Sequence, residues 1–162
     1  MQIVRWIWAA PCVFLVHGAE EIVTVAPWLR DNRTDLPTAI QPFATVTTEQ
    51  FALGVGLLFL ILLAFTLHAV RRARAGHRSL PFLLVVGALV ANGITHLGQA
   101  AAFRGYTPGL LTAVILVIPY GIGLGEQLRT DGLTSRGLWL GMIALGALLQ
   151  VPIVIGTLAA VR

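Results

Sequence analysis

A histidine and two glutamates stand together in His17-Gly18-Ala19-Glu20-Glu21, inside a stretch otherwise apolar enough to cross a bilayer. Their spacing, i, i+3 and i+4, places all three on one face of a helix. An ionisable side chain at mid-bilayer costs about 2.5–3.5 kcal/mol even by the lower measurements, so the trio requires partners. Its chemistry could be of two kinds. His17 and Glu21, one turn apart, form a chelating pair, and a histidine from another helix would complete a mixed nitrogen and oxygen site for one divalent transition metal such as zinc. In that version His17, Glu21 and His96 are ligands, an open position holds water, and Glu20 is general base or supports the ligands from behind. Without a metal the same residues make an acid/base pocket. One glutamate is held protonated by burial and by its neighbour, and His96 or the other glutamate accepts a proton. The catalytic candidates are therefore Glu20, Glu21 and His96. A two-metal site is not expected, because helical di-metal bundles draw on more carboxylates than this region offers. A purely structural reading, in which the trio only ties helices together, accounts poorly for three ionisable groups: polar pairs between membrane helices contribute about 0.6 kcal/mol on average in one well-studied case.

The elements that must position these residues follow from composition. With 57% hydrophobic and 11% charged positions in 162 residues, and a mean hydropathy of +0.84, the chain lacks the polar surface of a soluble globule and reads as an integral membrane protein. Five apolar segments, approximately 3–25, 50–70, 80–103, 108–128 and 136–161, are each near the roughly 20 residues that a spanning helix needs. The expected fold is an all-α bundle of five transmembrane helices in a single domain, 1–162. A cleaved signal peptide ending near Gly18 is rejected, since the apolar run resumes at Ile22 and cleavage would split a motif with helical spacing. The net charge of +4 comes from arginines in short links between apolar segments, where the positive-inside effect explains them, so no nucleic-acid partner is expected. Arg71, Arg72, Arg74 and Arg78 follow the second segment, and Arg129 and Arg136 the fourth. That pattern predicts a cytoplasmic N-terminus in the cell membrane, with Trp6, Trp8 and Trp139 at the inner interface and Trp28 and Tyr106 at the outer one.

With directions fixed, a rise of 1.5 Å per residue puts His17 roughly 21 Å from the inner edge, Asn92 near 18 Å, His96 near 24 Å and Gln150 near 21 Å. Asn92, Thr95, His96 and Gln99 form a second one-face polar stripe. Two stripes at one level predict a shared pocket in the outer half of the bilayer, lined by Asn92, Gln99 and Gln150, with Tyr106 at its rim. His68 and Glu126 fall near the inner ends, with Glu126 expected to pair with Arg129. The connection from Pro27 to Gln50, with Ile40, Phe43 and Val46 spaced for one face and Pro37 and Pro42 breaking regularity, predicts a partly helical outer cap. Glycine pairs Gly121/Gly125 and Gly137/Gly141 predict close helix contacts. Cys12, the single cysteine, is expected to be a small buried hydrophobe.

Letter for letter, His17-Gly18-Ala19-Glu20-Glu21 resembles the motif of the HXXEE family of small bacterial multi-pass membrane proteins, and Asn92-Gly93-Ile94-Thr95-His96 and Tyr106-Thr107-Pro108-Gly109 look like family-type segments. The resemblance implies membrane location and site residues, and no reaction. A looser architectural likeness links the chain to five-span sterol isomerase-type enzymes, which does not establish activity. Three functions compete. The first is an enzyme acting on a hydrophobic or lipid-like small molecule, a metal-dependent hydrolase or an isomerase or cyclase. The others are a proton- or metal-ion carrier and a non-catalytic subunit or sensor that uses the outer cap.

Overall fold

Long apolar runs in lipid have no water to satisfy their backbone groups, so they must close their hydrogen bonds within themselves as helices. Five such helices build this protein, in a computed structural model that describes residues 2–36, 38, 41 and 44–160. They are α1 (Gln2–Asp31), α2 (Thr48–Arg74), α3 (Leu80–Phe103), α4 (Leu110–Thr130) and α5 (Arg136–Ala160). All five are long and apolar enough to cross a membrane, and the described residues contain no strand. The helix starts carry local signals. Thr47 and Gln50 close a capping box before α2, with Gln50 N–H donating to Thr47 Oγ1 at 3.2 Å and Thr47 N–H to Gln50 Oε1 at 3.1 Å. Pro81 sits in the first turn of α3, where its missing N–H costs nothing.

α4 is irregular by design of its sequence. Residues Ala113–Val117 form a π turn, in which Ile118 N–H bonds to Ala113 O five residues back. Pro119, two residues beyond that turn, has no N–H to offer the carbonyl four residues before it, so a regular helix could not continue there unbroken.

The bundle has two extensive helix pairings, α1 with α2 and α3 with α5, while α4 packs against α1 and α3. At the α3/α5 crossing the backbones touch: a Cβ on Gly87 would lie 2.6 Å from the Met142 carbonyl oxygen, and one on Gly146 2.5 Å from Ala88. Gly121 and Gly125 also pack closely, against Val90 and Trp139. Gly137 and Gly141, expected to do the same, have nothing within 4 Å, because the contact register of α5 is set by Gly146. Two further expectations are corrected. Trp139 packs its ring into the core against Gly125 and does not face outward as an interfacial anchor would. Cys12 is exposed, on the outward stripe of α1 that also carries Trp8, Leu15 and Val16. Helical rotation, which hydropathy alone leaves open, decides both.

The apolar core fills one half of the bundle. Ile3, Ile7 and Val13 of α1 meet Leu62 and Val70 of α2, Phe82, Leu83 and Val86 of α3, and Leu124 and Leu128 of α4. The other half, toward the α3–α4 turn at 104–109, holds a cavity instead. Of the connection between α1 and α2, residues 32–35 form turns and Leu36 and Val46 are buried; Pro37, Ile40, Pro42 and Phe43, which carried the expectation of a helical cap, lie outside the described residues. His68 is exposed on α2 away from the cavity, and Arg129 Nε donates to Glu126 at 3.1 Å as expected.

Candidate functional site

His17 of α1 and His96 of α3 are both nearly fully buried and meet edge to face, ring centres 5.1 Å apart. Asn92, one turn before His96, stands between them with Nδ2 3.0 Å from the Nε2 of each ring. The hydrogen-bond network fixes which way this amide points. Thr95 spends its one hydroxyl proton on the Asn92 carbonyl at 2.8 Å, so its oxygen can only accept from the Gln150 amide 3.3 Å away. The Gln150 atom at that point is therefore the nitrogen, and it also donates to Asn92 Oδ1. Asn92 must then present its NH2 to the histidines, so both Nε2 atoms are acceptors.

His17 is determined from the other side as well. Its Nδ1 lies 2.7 Å from Thr112 Oγ1, at the start of α4. The Thr112 proton has only acceptors to choose from, the Glu20 carboxylate and the Gly109 carbonyl, so Thr112 must accept from His17 Nδ1–H. Both routes give the same tautomer, with the proton on Nδ1 and the lone pair on Nε2. In His96 the same logic puts the proton on Nδ1, which is buried with no partner among the described residues.

Glu21 completes the cluster. Its Oε1 lies 3.3 Å from His96 Nε2 and its Oε2 3.9 Å from His17 Nε2, and no other donor reaches it among the described residues. One ligating atom from each of His17, Glu21 and His96 can be chosen so that all lie within 4.8 Å of one another.

Glu20 points elsewhere. It receives Tyr106 O–H at 2.7 Å, Leu111 N–H at 3.1 Å, Thr112 N–H at 2.8 Å and the Thr112 hydroxyl. These are the unpaired donors at the N-terminus of α4, where the helix dipole also favours a negative charge. Glu20 is thus a cap on α4 supplied by α1. Tyr106 is held by the same carboxylate, and Trp28 Nε1–H donates to its carbonyl at 2.9 Å while stacking edge-on against Phe103. Partial burial, and then the bond to Glu20, push the Tyr106 phenol above its usual range.

The cluster lines a cavity of about 630 Å³ between α1, α2, α3 and α5, about midway along its run on α1 and α3. His17, Glu21, Asn92, His96, Gln99 and Gln150 supply its polar side chains near that level, and Phe14, Phe51, Val55, Leu58, Phe65, Leu89 and Ile153 are among its apolar walls. The structure therefore brings together His17, Glu21, Asn92, His96 and Gln150. Gln99 lines the cavity without joining the hydrogen-bond network among the described residues. Glu20 and Tyr106, expected in the pocket, do not line it; they sit behind α1 at the start of α4, because Glu20 is rotated about 100° from Glu21 on the helix.

Two residues outside the sequence-based set matter here. Thr112 fixes the His17 tautomer. Gly109, at φ +83°, lies against both imidazoles, and a Cβ there would come within 2.7 Å of His96 and 3.0 Å of His17. The signal for both was Thr107-Pro108-Gly109-Leu110-Leu111-Thr112, a turn and helix start beside the level of Glu20.

Fold and site together define a multi-pass membrane bundle with a buried histidine and carboxylate centre in the wall of an apolar cavity. The chain belongs to the family described as proteins of unknown function with an HXXEE motif, whose sequence profile matches residues 8–124. His17, Glu20 and Glu21 are the named letters, and the matched stretch takes in Asn92, His96, Gly109 and Thr112 and ends before α5 with its Gln150. No curated protein and no solved structure matches the chain.

Proposed function

We propose that the protein is an enzyme embedded in the cell membrane that acts on a hydrophobic or lipid-like small molecule, with Glu21, His96 and His17 as its reacting groups. The observation that carries this is the convergence of three basic atoms in the wall of an otherwise apolar cavity. Ile61 of α2 and Ile153 and Val154 of α5 line the cavity and are also exposed on the outside of the bundle. A molecule dissolved in the hydrocarbon would therefore reach the cavity through the α2/α5 wall. With the arginine-rich links inside, the centre lies in the outer half of the bilayer.

In the chemistry we favour, the apolar walls hold the hydrocarbon and Asn92 or Gln99 orients a polar head. His96 Nε2 removes a proton from the substrate and shares it with Glu21, 3.3 Å away, which returns it at another atom of the same molecule. Isomerisation and cyclisation both fit that exchange. Ion or proton carriage is less well supported. Below the cluster, Val13, Leu62, Val86 and Leu83 close the bundle with apolar side chains and offer a charge no stepping stone.

Lipid extracts of protein purified from its own membrane test the reading by mass spectrometry. Glu21→Gln should retain an unconverted hydrophobic species that wild type releases, and Leu58→Trp, which fills the cavity, should retain none. Identical extracts from all three proteins would overturn the proposal.

A further inference from the structure

The geometry points to a site for one divalent transition metal, bound by His17 Nε2, His96 Nε2 and a carboxylate oxygen of Glu21, with the remaining position open to the cavity. The assignment deepens the function proposed above and rests on the same cluster being its working centre. With the ion bound, His96 Nε2 would be a ligand, and a water in the open position would take over the role of base given to that nitrogen above.

Four features of the centre argue for a cation. Both imidazoles have their protons on Nδ1 by the hydrogen-bond logic of Thr112 and Asn92, so both present Nε2 as a lone pair, the form a metal binds. Glu21 faces the same two nitrogens and is offered no other donor among the described residues. Among the described residues the only hydrogens facing these three electron-rich atoms are the two on the Asn92 amide, which occupy the two Nε2 lone pairs and leave Glu21 with none. An ion would take both lone pairs over from Asn92 and also neutralise Glu21.

The spacing also suits a metal. Bonds of about 2.0–2.1 Å in a tetrahedral site set ligand atoms roughly 3.3–3.4 Å apart. His96 Nε2 and Glu21 are 3.3 Å apart, and a full set of three lies within 4.8 Å.

The support behind the ligands has the form that metal sites require. His17 Nδ1–H donates to Thr112 Oγ1, and Thr112 donates on to Glu20, which the start of α4 holds in place. Such a carboxylate behind a ligating histidine fixes its tautomer and raises its basicity. Gly109 lies against both rings, so close that even a Cβ would not fit between them. Two imidazoles with one carboxylate select a borderline transition ion, zinc or iron(II), over calcium or magnesium. When bound, such an ion would polarise a substrate oxygen or activate a water in the open position.

The roles of the two motif glutamates then separate. Glu21 is a ligand, and Glu20 is a positioning residue acting through Thr112.

The test is elemental analysis by inductively coupled plasma mass spectrometry of detergent-purified protein never exposed to chelator, followed by stripping and titration with Zn(II) and Co(II). We expect about one equivalent of a single transition metal. Glu21→Gln, which keeps the side chain's shape, His17→Ala and His96→Ala should each lose it while eluting as folded protein. Thr112→Val should weaken Co(II) binding about 10–100-fold, with Thr112→Ser restoring it. Wild-type protein that neither carries a transition metal nor takes up Zn(II) or Co(II) would overturn the assignment, as would full occupancy in Glu21→Gln. If the metal is absent while Glu21→Gln still accumulates an unconverted lipid, the enzyme reading stands and the metal falls. Metal present with no such lipid gives the reverse.

Discussion

On one side of α1, Glu20 receives four hydrogen bonds from Tyr106, Leu111 and Thr112; on the other, its neighbour Glu21 faces two imidazole lone pairs and receives no donor among the described residues. The two carboxylates are of one type and stand one residue apart. What separates them is about 100° of helical rotation, which aims one at a helix N-terminus and the other at a cavity. A carboxylate that serves the fold is fully satisfied, and one kept for chemistry is left short of partners. The difference predicts that Glu20 variants are read first as stability and Glu21 variants first as function.

The comparison breaks most visibly at Gly109, which touches the turn that positions Thr112 and also both histidines. Gly109→Ala forces a left-handed backbone on a residue with a Cβ, a cost of about 1–3 kcal/mol before the collision with the rings is counted. The expected result is a large loss of folded protein, measured by fluorescence-detected size-exclusion chromatography. Glu20→Ala comes next, leaving the α4 donors unserved, and should lower unfolding free energy by about 1.5–3 kcal/mol in a reversible denaturation assay in detergent or bicelles. With both proteins stripped of metal, Glu21→Ala should change that free energy by less than about 0.5 kcal/mol, or raise it, since it removes a charge that then lacks partners; a loss as large as that of Glu20→Ala would abolish the contrast. Thr112→Ser keeps the hydroxyl that joins Glu20 to His17, so the His17 Nδ1 resonance should stay in place in 15N imidazole spectra, whereas Thr112→Val should shift it as that hydrogen bond is lost, with Asn92 still holding the tautomer. Smallest of all, Glu126→Gln removes a fully exposed ion pair with Arg129 and should leave the unfolding midpoint where it is.

Much of this was legible in the sequence because bilayers and helices constrain so tightly. A thickness of about 30 Å and a rise of 1.5 Å per residue place residues by depth, and so His17, Asn92, His96 and Gln150 could be set at one level before any contact was known. Relative facing along one helix was equally readable. Absolute rotation was not. Whether Glu20 or Glu21 turns toward the cavity depends on which helix lies beside α1, and the partner of Glu20 is the start of α4, 91 and 92 residues away in sequence. The same gap misplaced Cys12 and Trp139, whose burial depends on rotation, and favoured Gly137 and Gly141 over Gly87 and Gly146, since glycine spacing alone does not say which turn meets a neighbour.

The α3/α5 crossing at Gly87 and Gly146 has a mechanical consequence. Backbones that meet with no side chain between them cannot slide or part without opening a void along the whole seam. These two helices therefore travel together as a single stiff slab, with α1 and α2 as the slab opposite. The cavity lies between the slabs, and the start of α4, bonded to Glu20 of α1 and packed against α3, clasps them together beside it.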